Sequence, residues 1–305
     1  MGVRVVLRAR EHHFPGDVIR GPRQDKGVRL IEHDVIGIRY LSYELFEPYP
    51  NVTNVVTTRR RGRSKGPYDS LNLGLHVGDD PDAVLENRAI VAQILGFEPE
   101  AFTLARQVHG AGVVVVDSGH KGRGAIFEDD ALADADAMIT RAPGVPLAIL
   151  VADCVALSFF DPGKAAIGVA HAGWKGTLGG IAGATVAAMS NAFETEPREL
   201  LVGVSPSIGS CHYEVGDDVA QSFRGVFGNT AGEFLSSDAG RFRLDLWEAN
   251  RRQLIDAGVP EDRIEVAGRC TACAPDSFYS HRRDQGTTGR FAAVMMLHYT
   301  GSRSY

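Results

Sequence analysis

The sequence holds only four cysteines, Cys154, Cys211, Cys270 and Cys273, in 305 residues. They are too few and too scattered for a secreted disulfide scaffold. Long apolar runs are missing too. The longest, about residues 147–152, falls far short of the roughly 20 residues a membrane span needs. Near the start, Val5-Val6-Leu7 gives way at once to Arg8, Arg10 and Glu11, so no signal-peptide apolar region is expected. Basic charge is not in excess. Lys and Arg number 32 against 38 Asp and Glu, a net charge of −6, which argues against bulk nucleic-acid binding. Internal repeats and low-complexity tracts are absent. What is present is ordinary: 44% apolar and 23% charged residues, in a chain long enough to bury a core unaided. A cytoplasmic globular protein, with neither membrane nor nucleic acid as partner, is the expectation.

Residues 1–50 read as a leader segment, partly loose. They carry scattered arginines and the breakers Pro15-Gly16 and Gly21-Pro22 without a sustained period, and residues 36–46 are a candidate edge strand. Residues 51–305 then form a single catalytic domain. Within it, residues 57–66 are a basic loop, either a solvated turn or an anion grip. A helix follows, with Asp80 as N-cap, Pro81 at its first position, a stripe at Val84, Val91, Ile94 and Leu95, and Gly96 as its stop. Short apolar runs at 113–116, 137–139, 147–152, 166–170 and 200–204 read as buried strands, and 291–297 as another. Residues 177–193 read as a helix, and Asp245 caps one over 246–257. Strands and helices mix with few regular β-α alternations, so the fold class is α+β rather than doubly wound.

Three strand ends carry unusual residues. Cys154 follows Asp153 just after the run 147–152, and His171 follows the run 166–170. His109 lies in Gln107-Val108-His109-Gly110, ahead of the strand 113–116. If neighbouring strands pair, the ends of two runs bring Cys154 and His171 side by side. Two imidazoles and a thiolate suit Zn²⁺ and leave a fourth position open. Taken singly, each residue has a duller account: a buried free Cys serves as a small hydrophobe, and a His beside a turn bonds a carbonyl. Cys270-Thr271-Ala272-Cys273 is a single C-x-x-C. Structural zinc would need a second pair, for which Cys211-His212 is the only candidate, so plain structural cysteines are expected there. The zinc-deaminase signature is incomplete: His212-Tyr213-Glu214 supplies an H-x-E, but Arg269 rather than a proline precedes Cys270. Residues 278–290, with Arg282, Arg283 and Arg290, form a basic glycine-bearing stretch that could grip an anion or simply be solvated.

Taken in order, these motifs form a specific series: Pro67-Tyr68, Leu71-Asn72-Leu73-Gly74, Val77-Gly78-Asp79-Asp80-Pro81, Glu86-Asn87-Arg88, Gln107-Val108-His109-Gly110, Ala135-Asp136-Ala137, Ala152-Asp153-Cys154, His171-Ala172-Gly173-Trp174-Lys175-Gly176-Thr177 and Tyr279-Ser280-His281-Arg282-Arg283-Asp284. The series closely resembles the YfiH-like laccase-domain family over about residues 52–297. That family was named for polyphenol oxidoreductase activity and is associated with purine nucleoside phosphorylase and adenosine deaminase activity. The resemblance implies a four-layer α/β/β/α sandwich of two packed sheets. It implies zinc held by His109, Cys154 and His171, with Arg59, Asn72, Arg88 and Arg282 around a substrate pocket. Arg61 stands where members usually have a glycine, which puts that loop's conformation in question. The interval from His109 to Cys154 suggests an insertion near residues 120–130.

The implied function is phosphorolysis of adenosine- or inosine-type nucleosides to free base and ribose 1-phosphate, with adenosine deamination as a second activity. Cys154, His171 and Asp153 are the expected catalytic groups, Asp153 as a proton-handling or ligand-orienting carboxylate. Nucleoside and phosphate are then the small-molecule partners. A copper-dependent polyphenol oxidase is the alternative, weakened because the sequence has no His-x-His pair and offers no pointed axial Met. A cysteine hydrolase with Cys154 as nucleophile and His171 as base is a further one.

Overall fold

Strands that are buried on both faces read as continuous apolar runs, and this chain has many of them. The computed structural model describes residues 30–299. In chain order, β1 (Leu30–Val35), β2 (Ile38–Tyr43) and β3 (Val52–Thr57) lead to α1 (Pro81–Leu95). Then come β4 (Val113–Val116), β5 (Ala137–Thr140), β6 (Leu147–Val151), β7 (Val155–Asp161) and β8 (Ala166–Ala172). After α2 (Trp174–Leu178) and α3 (Ile181–Phe193) follow β9 (Leu201–Val204), β10 (Glu214–Val215), α4 (Asp217–Phe227), β11 (Leu235–Asp238) and β12 (Arg241–Leu244). The last elements are α5 (Leu246–Asp256), β13 (Ile264–Val266) and β14 (Phe291–Leu297).

The strands build a five-stranded sheet in the order β1-β2-β3-β14-β6 and a six-stranded sheet in the order β13-β9-β7-β8-β5-β4. A small sheet, β10-β12-β11, stands beside them. Side-chain alternation along each strand sets the layers. In β14, Phe291, Ala293 and Met295 face the core between the two large sheets, while Ala292 and Val294 face α1 on the outside. In β7, Ala156 and Phe160 face the inter-sheet core, while Val155, Leu157 and Phe159 face α3, α4 and α5. The result is the α/β/β/α sandwich, its middle filled by large apolar side chains worth about 1.5–3 kcal/mol each on burial.

The cap residues act as their types predict. The Asp80 carboxylate accepts the Asp82 N–H, Gly96 closes α1 in the left-handed conformation, and the Asp245 carboxylate accepts the Glu248 N–H. Two expectations need correction. The helix expected over 177–193 is two helices, α2 and α3, because Gly179 and Gly180 intervene and Gly180 is left-handed (φ 80°). The boundary at residue 50 does not divide the packed unit. β1 and β2 form a hairpin that continues the sheet onto β3, and Tyr43 and Phe46 are fully buried. The Tyr43 ring lies so close to Gly203 of β9 that a Cβ there would sit 2.3 Å from it. Glu265 accepts the Glu44 and Leu45 N–H groups as well. Residues 1–29, the rest of the expected leader, lie outside the described residues.

Candidate metal centre

The chain crosses from the five-stranded to the six-stranded sheet at Ala152-Asp153-Cys154, between β6 and β7. Asp153 turns the chain with a left-handed backbone (φ 86°), a conformation Asp tolerates better than most residues. Cys154 therefore stands at the mouth of β7, and the β7–β8 register sets Val155 opposite Ala172 and Ala156 opposite His171. The sequence argument had paired the wrong runs. The run ending at residue 152 is β6, in the other sheet, and Cys154 reaches His171 through β7. His109 arrives from the loop ahead of β4, itself with a left-handed backbone (φ 62°).

One donor atom from each of His109, Cys154 and His171 lies within 4.8 Å of the others. The two imidazoles stand edge to face, with ring centroids 4.7 Å apart. The space among them exists because residue 173 has no side chain. A Cβ on Gly173 would lie 3.0 Å from Cys154 Sγ, 3.3 Å from His109 Cδ2 and 3.6 Å from His171 Nε2. A cradle that a methyl group would fill, lined by two imidazoles and a thiol, fits a divalent metal of intermediate softness. His171 is buried, Cys154 half-buried and His109 exposed, so the cradle opens on the His109 side.

Asp136 organises this arrangement. Its buried carboxylate accepts the N–H groups of Val108 (3.2 Å), His109 (2.9 Å) and Gly110 (2.6 Å). It also lies 2.8 Å from His171 Nδ1, which leaves Nε2 to face Cys154. One carboxylate thus fixes the His109 loop and the orientation of His171 together. Burial pushes the Asp136 carboxyl up, but these donors and the His171 charge outweigh it and hold it below the ordinary range. Burial also raises the Cys154 thiol, yet His171 and His109 bring it down to about 6. Burial lowers His171, and the Cys154 and Asp136 charges raise it to about 9. The sequence reading gave Asp136 no role of its own. Its signal was an acid directly ahead of an apolar strand, in Ala135-Asp136-Ala137.

The other expected site residues divide. The Asp153 carboxylate touches none of the three candidate ligand side chains, whereas Asp136 bonds His171 directly. Asp153 instead accepts the Thr271 hydroxyl (2.5 Å) and the Arg282 N–H (2.6 Å), latching the C-terminal loop onto the turn that carries Cys154. The Arg282 guanidinium lies over the Tyr213 ring and donates to the Glu214 carbonyl. Arg59 lies over the Tyr279 ring, 4.5 Å from its centroid, and donates to the Asp69 carbonyl. It borders an open basic cavity of about 380 Å³, also lined by Arg39, Arg60 and Arg61, which includes none of the three candidate ligands. Asn72 and Arg88 are buried and committed to the chain itself. Asn72 bridges Gly74, Asp79 and the Arg290 N–H. Arg88 donates to the carbonyls of Leu73, Gly124 and Ala125, tying α1 to the segment near residues 120–130. Arg61, where members usually have a glycine, has a left-handed backbone (φ 67°), a conformation that glycine adopts without strain.

Two neighbours join these: Arg290, raised in the sequence only within a basic stretch, and Tyr213, which the sequence did not single out. Burial pulls the Arg290 guanidinium down while the Cys154 and Asp153 charges beside it hold it up. Tyr213 is pushed up by burial and then by the Cys154 charge. The cysteines expected to be merely structural also converge, since Cys211, His212, Cys270 and Cys273 bring four donor atoms within 4.8 Å of one another.

A trio of side chains that could hold a metal thus lies at the crossing between two packed sheets, inside a four-layer sandwich. A family model described as multi-copper polyphenol oxidoreductase laccase matches residues 53–298. The chain belongs to that YfiH-like laccase-domain family. It is 42% identical over 249 residues to purine nucleoside phosphorylase YlmD of Geobacillus stearothermophilus, covering 81% of this chain and 91% of the relative. The solved structure of that YlmD superposes with a TM-score of 0.81, covering 93% of this chain and all of the other. A purine nucleoside phosphorylase of Deinococcus radiodurans is 45% identical over 81% of this chain and 89% of its own length. Adenosine deaminase RL5, from an unknown prokaryotic organism, is 34% identical over 77% of this chain and 89% of its own. No helix among the described residues is long and apolar enough to cross a membrane.

Proposed function

We propose that this protein is a zinc-dependent purine nucleoside enzyme, cleaving adenosine and inosine with phosphate to free base and ribose 1-phosphate, with deamination of adenosine as a second activity. The observation that carries the reading is the convergence of His109, Cys154 and His171 around Gly173, in a chain closely related to proteins named for these two activities. Those three side chains would hold the ion, which when bound supplies Lewis acidity to the substrate and acidifies a nearby water. Asp136 keeps His171 Nε2 free to ligate. Arg290 and Arg282 are the guanidiniums we assign to phosphate and to charge developing as the glycosidic bond breaks. Arg59 extends that basic wall, and Asn72 and Arg88 shape it from behind. Asp153, beside Cys154, is the carboxylate we assign to proton handling.

Two observations weigh on the alternatives. Met138 and Met295 lie in the inter-sheet core and Met189 is on the buried face of α3, so these side chains are committed to apolar packing rather than to an axial copper position. The order Cys154–His171–Asp136 matches nucleophile, base and orienting acid. A second imidazole, His109, on the same sulfur favours a metal over a hydrolase, because a nucleophile needs one base.

The test is to incubate zinc-loaded protein with inosine, with and without phosphate, and separate the products by chromatography. Base release that requires phosphate, stops on chelation and returns with zinc is the expected result. Turnover that survives chelation would favour the hydrolase. Copper-dependent oxidation of a phenol without nucleoside turnover would overturn the proposal.

A further inference from the structure

We propose that Cys211, His212, Cys270 and Cys273 bind a second zinc ion, a closed structural site with three thiolates and His212 Nδ1 as ligands. The inference is independent of the nucleoside reading. It rests first on distances. Cys211 Sγ and Cys273 Sγ are 3.7 Å apart, and His212 Nδ1 lies 3.3 Å from Cys211 Sγ, 3.3 Å from Cys273 Sγ and 3.8 Å from Cys270 Sγ. Tetrahedral zinc, with Zn–S about 2.3 Å and Zn–N about 2.0–2.1 Å, separates two sulfurs by about 3.8 Å and a sulfur from a nitrogen by about 3.6 Å. The four atoms already outline that tetrahedron. A disulfide would require sulfurs about 2.05 Å apart and would leave the imidazole and the one remaining thiol without a purpose.

The supports point the same way. The Gly209 N–H aims at Cys270 Sγ (3.3 Å), and so does the Cys273 N–H, donors that favour a thiolate there. Two nearby cations are spent elsewhere than on the sulfurs: Arg243 on the carbonyls of Ser210 and Cys211, and Arg269, next to Cys270, on Glu32. Three thiolates and an imidazole are soft donors, so zinc is selected over magnesium or calcium. All four positions are filled by protein, which makes the site structural rather than catalytic.

The ligands come from two segments 58 residues apart in sequence. β9 and β13 run side by side and parallel, and each segment follows one of these strands. An ion bound there would clamp the two loops together. That clamp would reach the first centre by two routes. Tyr213, next to His212, carries the Arg282 guanidinium on its ring. Thr271, inside the C-x-x-C, donates its hydroxyl to Asp153, next to Cys154.

The experiment measures metal in the full-length chain purified from zinc-supplemented medium, by elemental analysis and native mass spectrometry. About two zinc ions per chain are expected in the parent, about one in Cys154→Ser, and about one in the Cys270→Ser, Cys273→Ser double variant. Because the double variant could fail to fold, cobalt-loaded Cys154→Ser provides a second measurement. It should show the strong near-ultraviolet charge-transfer band of a tetrahedral ion bound to several thiolates, and an organomercurial should abolish that band. One zinc in the parent and none in Cys154→Ser, with no thiolate band from cobalt, would overturn the proposal. So would a Cys211–Cys273 disulfide in protein purified without air.

Discussion

Replacing Asp136 by Asn tests whether one carboxylate really serves two ligands. The change preserves shape but leaves one oxygen where there were two. Oδ1 takes the His109 N–H and His171 Nδ1, and Oδ2 takes the Val108 and Gly110 N–H groups. If the amide nitrogen occupies the Oδ2 position, two backbone donors of the His109 loop face another donor. If it occupies the Oδ1 position, His171 must accept at Nδ1 and carry its proton on Nε2, the atom needed as a ligand. Either orientation costs about 3 kcal/mol, from two charge-assisted hydrogen bonds lost in a buried place. Either also weakens metal binding, by roughly 10- to 100-fold. Competition against a chromogenic chelator reads the affinity, and urea unfolding of metal-free protein reads the stability. Lost stability with unchanged zinc affinity would make Asp136 a scaffold residue only. No change in either would refute the account of the site.

Arg88→Ala should destabilise the protein by about 3 kcal/mol in urea unfolding while metal content per folded chain stays constant, since it orphans the carbonyls of Leu73, Gly124 and Ala125. A large fall in phosphorolysis at unchanged stability would instead put Arg88 on the substrate. Asp284→Asn should lower stability by about 1 kcal/mol at neutral pH. Burial opposes ionisation of Asp284, but Arg283 and Thr288 outweigh it and hold the carboxyl below its ordinary range. That contribution is present above about pH 4 and is lost as pH falls through the folded-state value, so the two proteins should converge in acid. Convergence in base would reverse the sign and refute the assignment. Removing residues 1–46 should cost soluble, cooperatively unfolding protein, because Tyr43 and Phe46 belong to the inter-sheet core. Retention of a sharp unfolding transition would show that the hairpin is dispensable.

What the sequence disclosed followed the range of the forces involved. The α1 boundaries were legible because caps act within four residues, and β5, β6, β8 and β9 because strands buried on both faces leave apolar runs. β7 was hidden. It starts directly after the Asp153-Cys154 turn, with no spacer, and carries the polar Ser158 in its middle. The β1–β2 hairpin was hidden for a different reason. Its turn places Ile36, a β-branched residue, at φ 55°, where Asn, Asp or Gly would normally announce the turn. The Asp34 carboxylate, accepting the Gly37 N–H at 2.8 Å, supports the turn instead. His109, Cys154 and His171 were legible as types at strand ends, although the pairing that unites them was misassigned. The role of Asp136 was not legible, and Cys211-His212 was legible only as a candidate partner of the C-x-x-C that was set aside, because both depend on contacts made across 26 to 62 residues.

The site's position follows from the architecture. A sandwich of two sheets buries nearly all its strands, so polar and strained backbone must collect where the chain leaves one layer for another. The β6–β7 crossing is such a place, and it carries the left-handed Asp153 and then Cys154. The loop bearing His109 is another, and Asp136 ties it to β8. The long connection from β13 to β14 closes onto the first of these, held by Thr271 and Arg282 on the two oxygens of Asp153. Each ligand is therefore anchored to a different seam, and two acids do the anchoring. Apolar substitutions deep in the inter-sheet core that conserve volume should leave these seams in place. Loss of either acid should not, because each holds two seams together with bonds that nothing else in the site can replace.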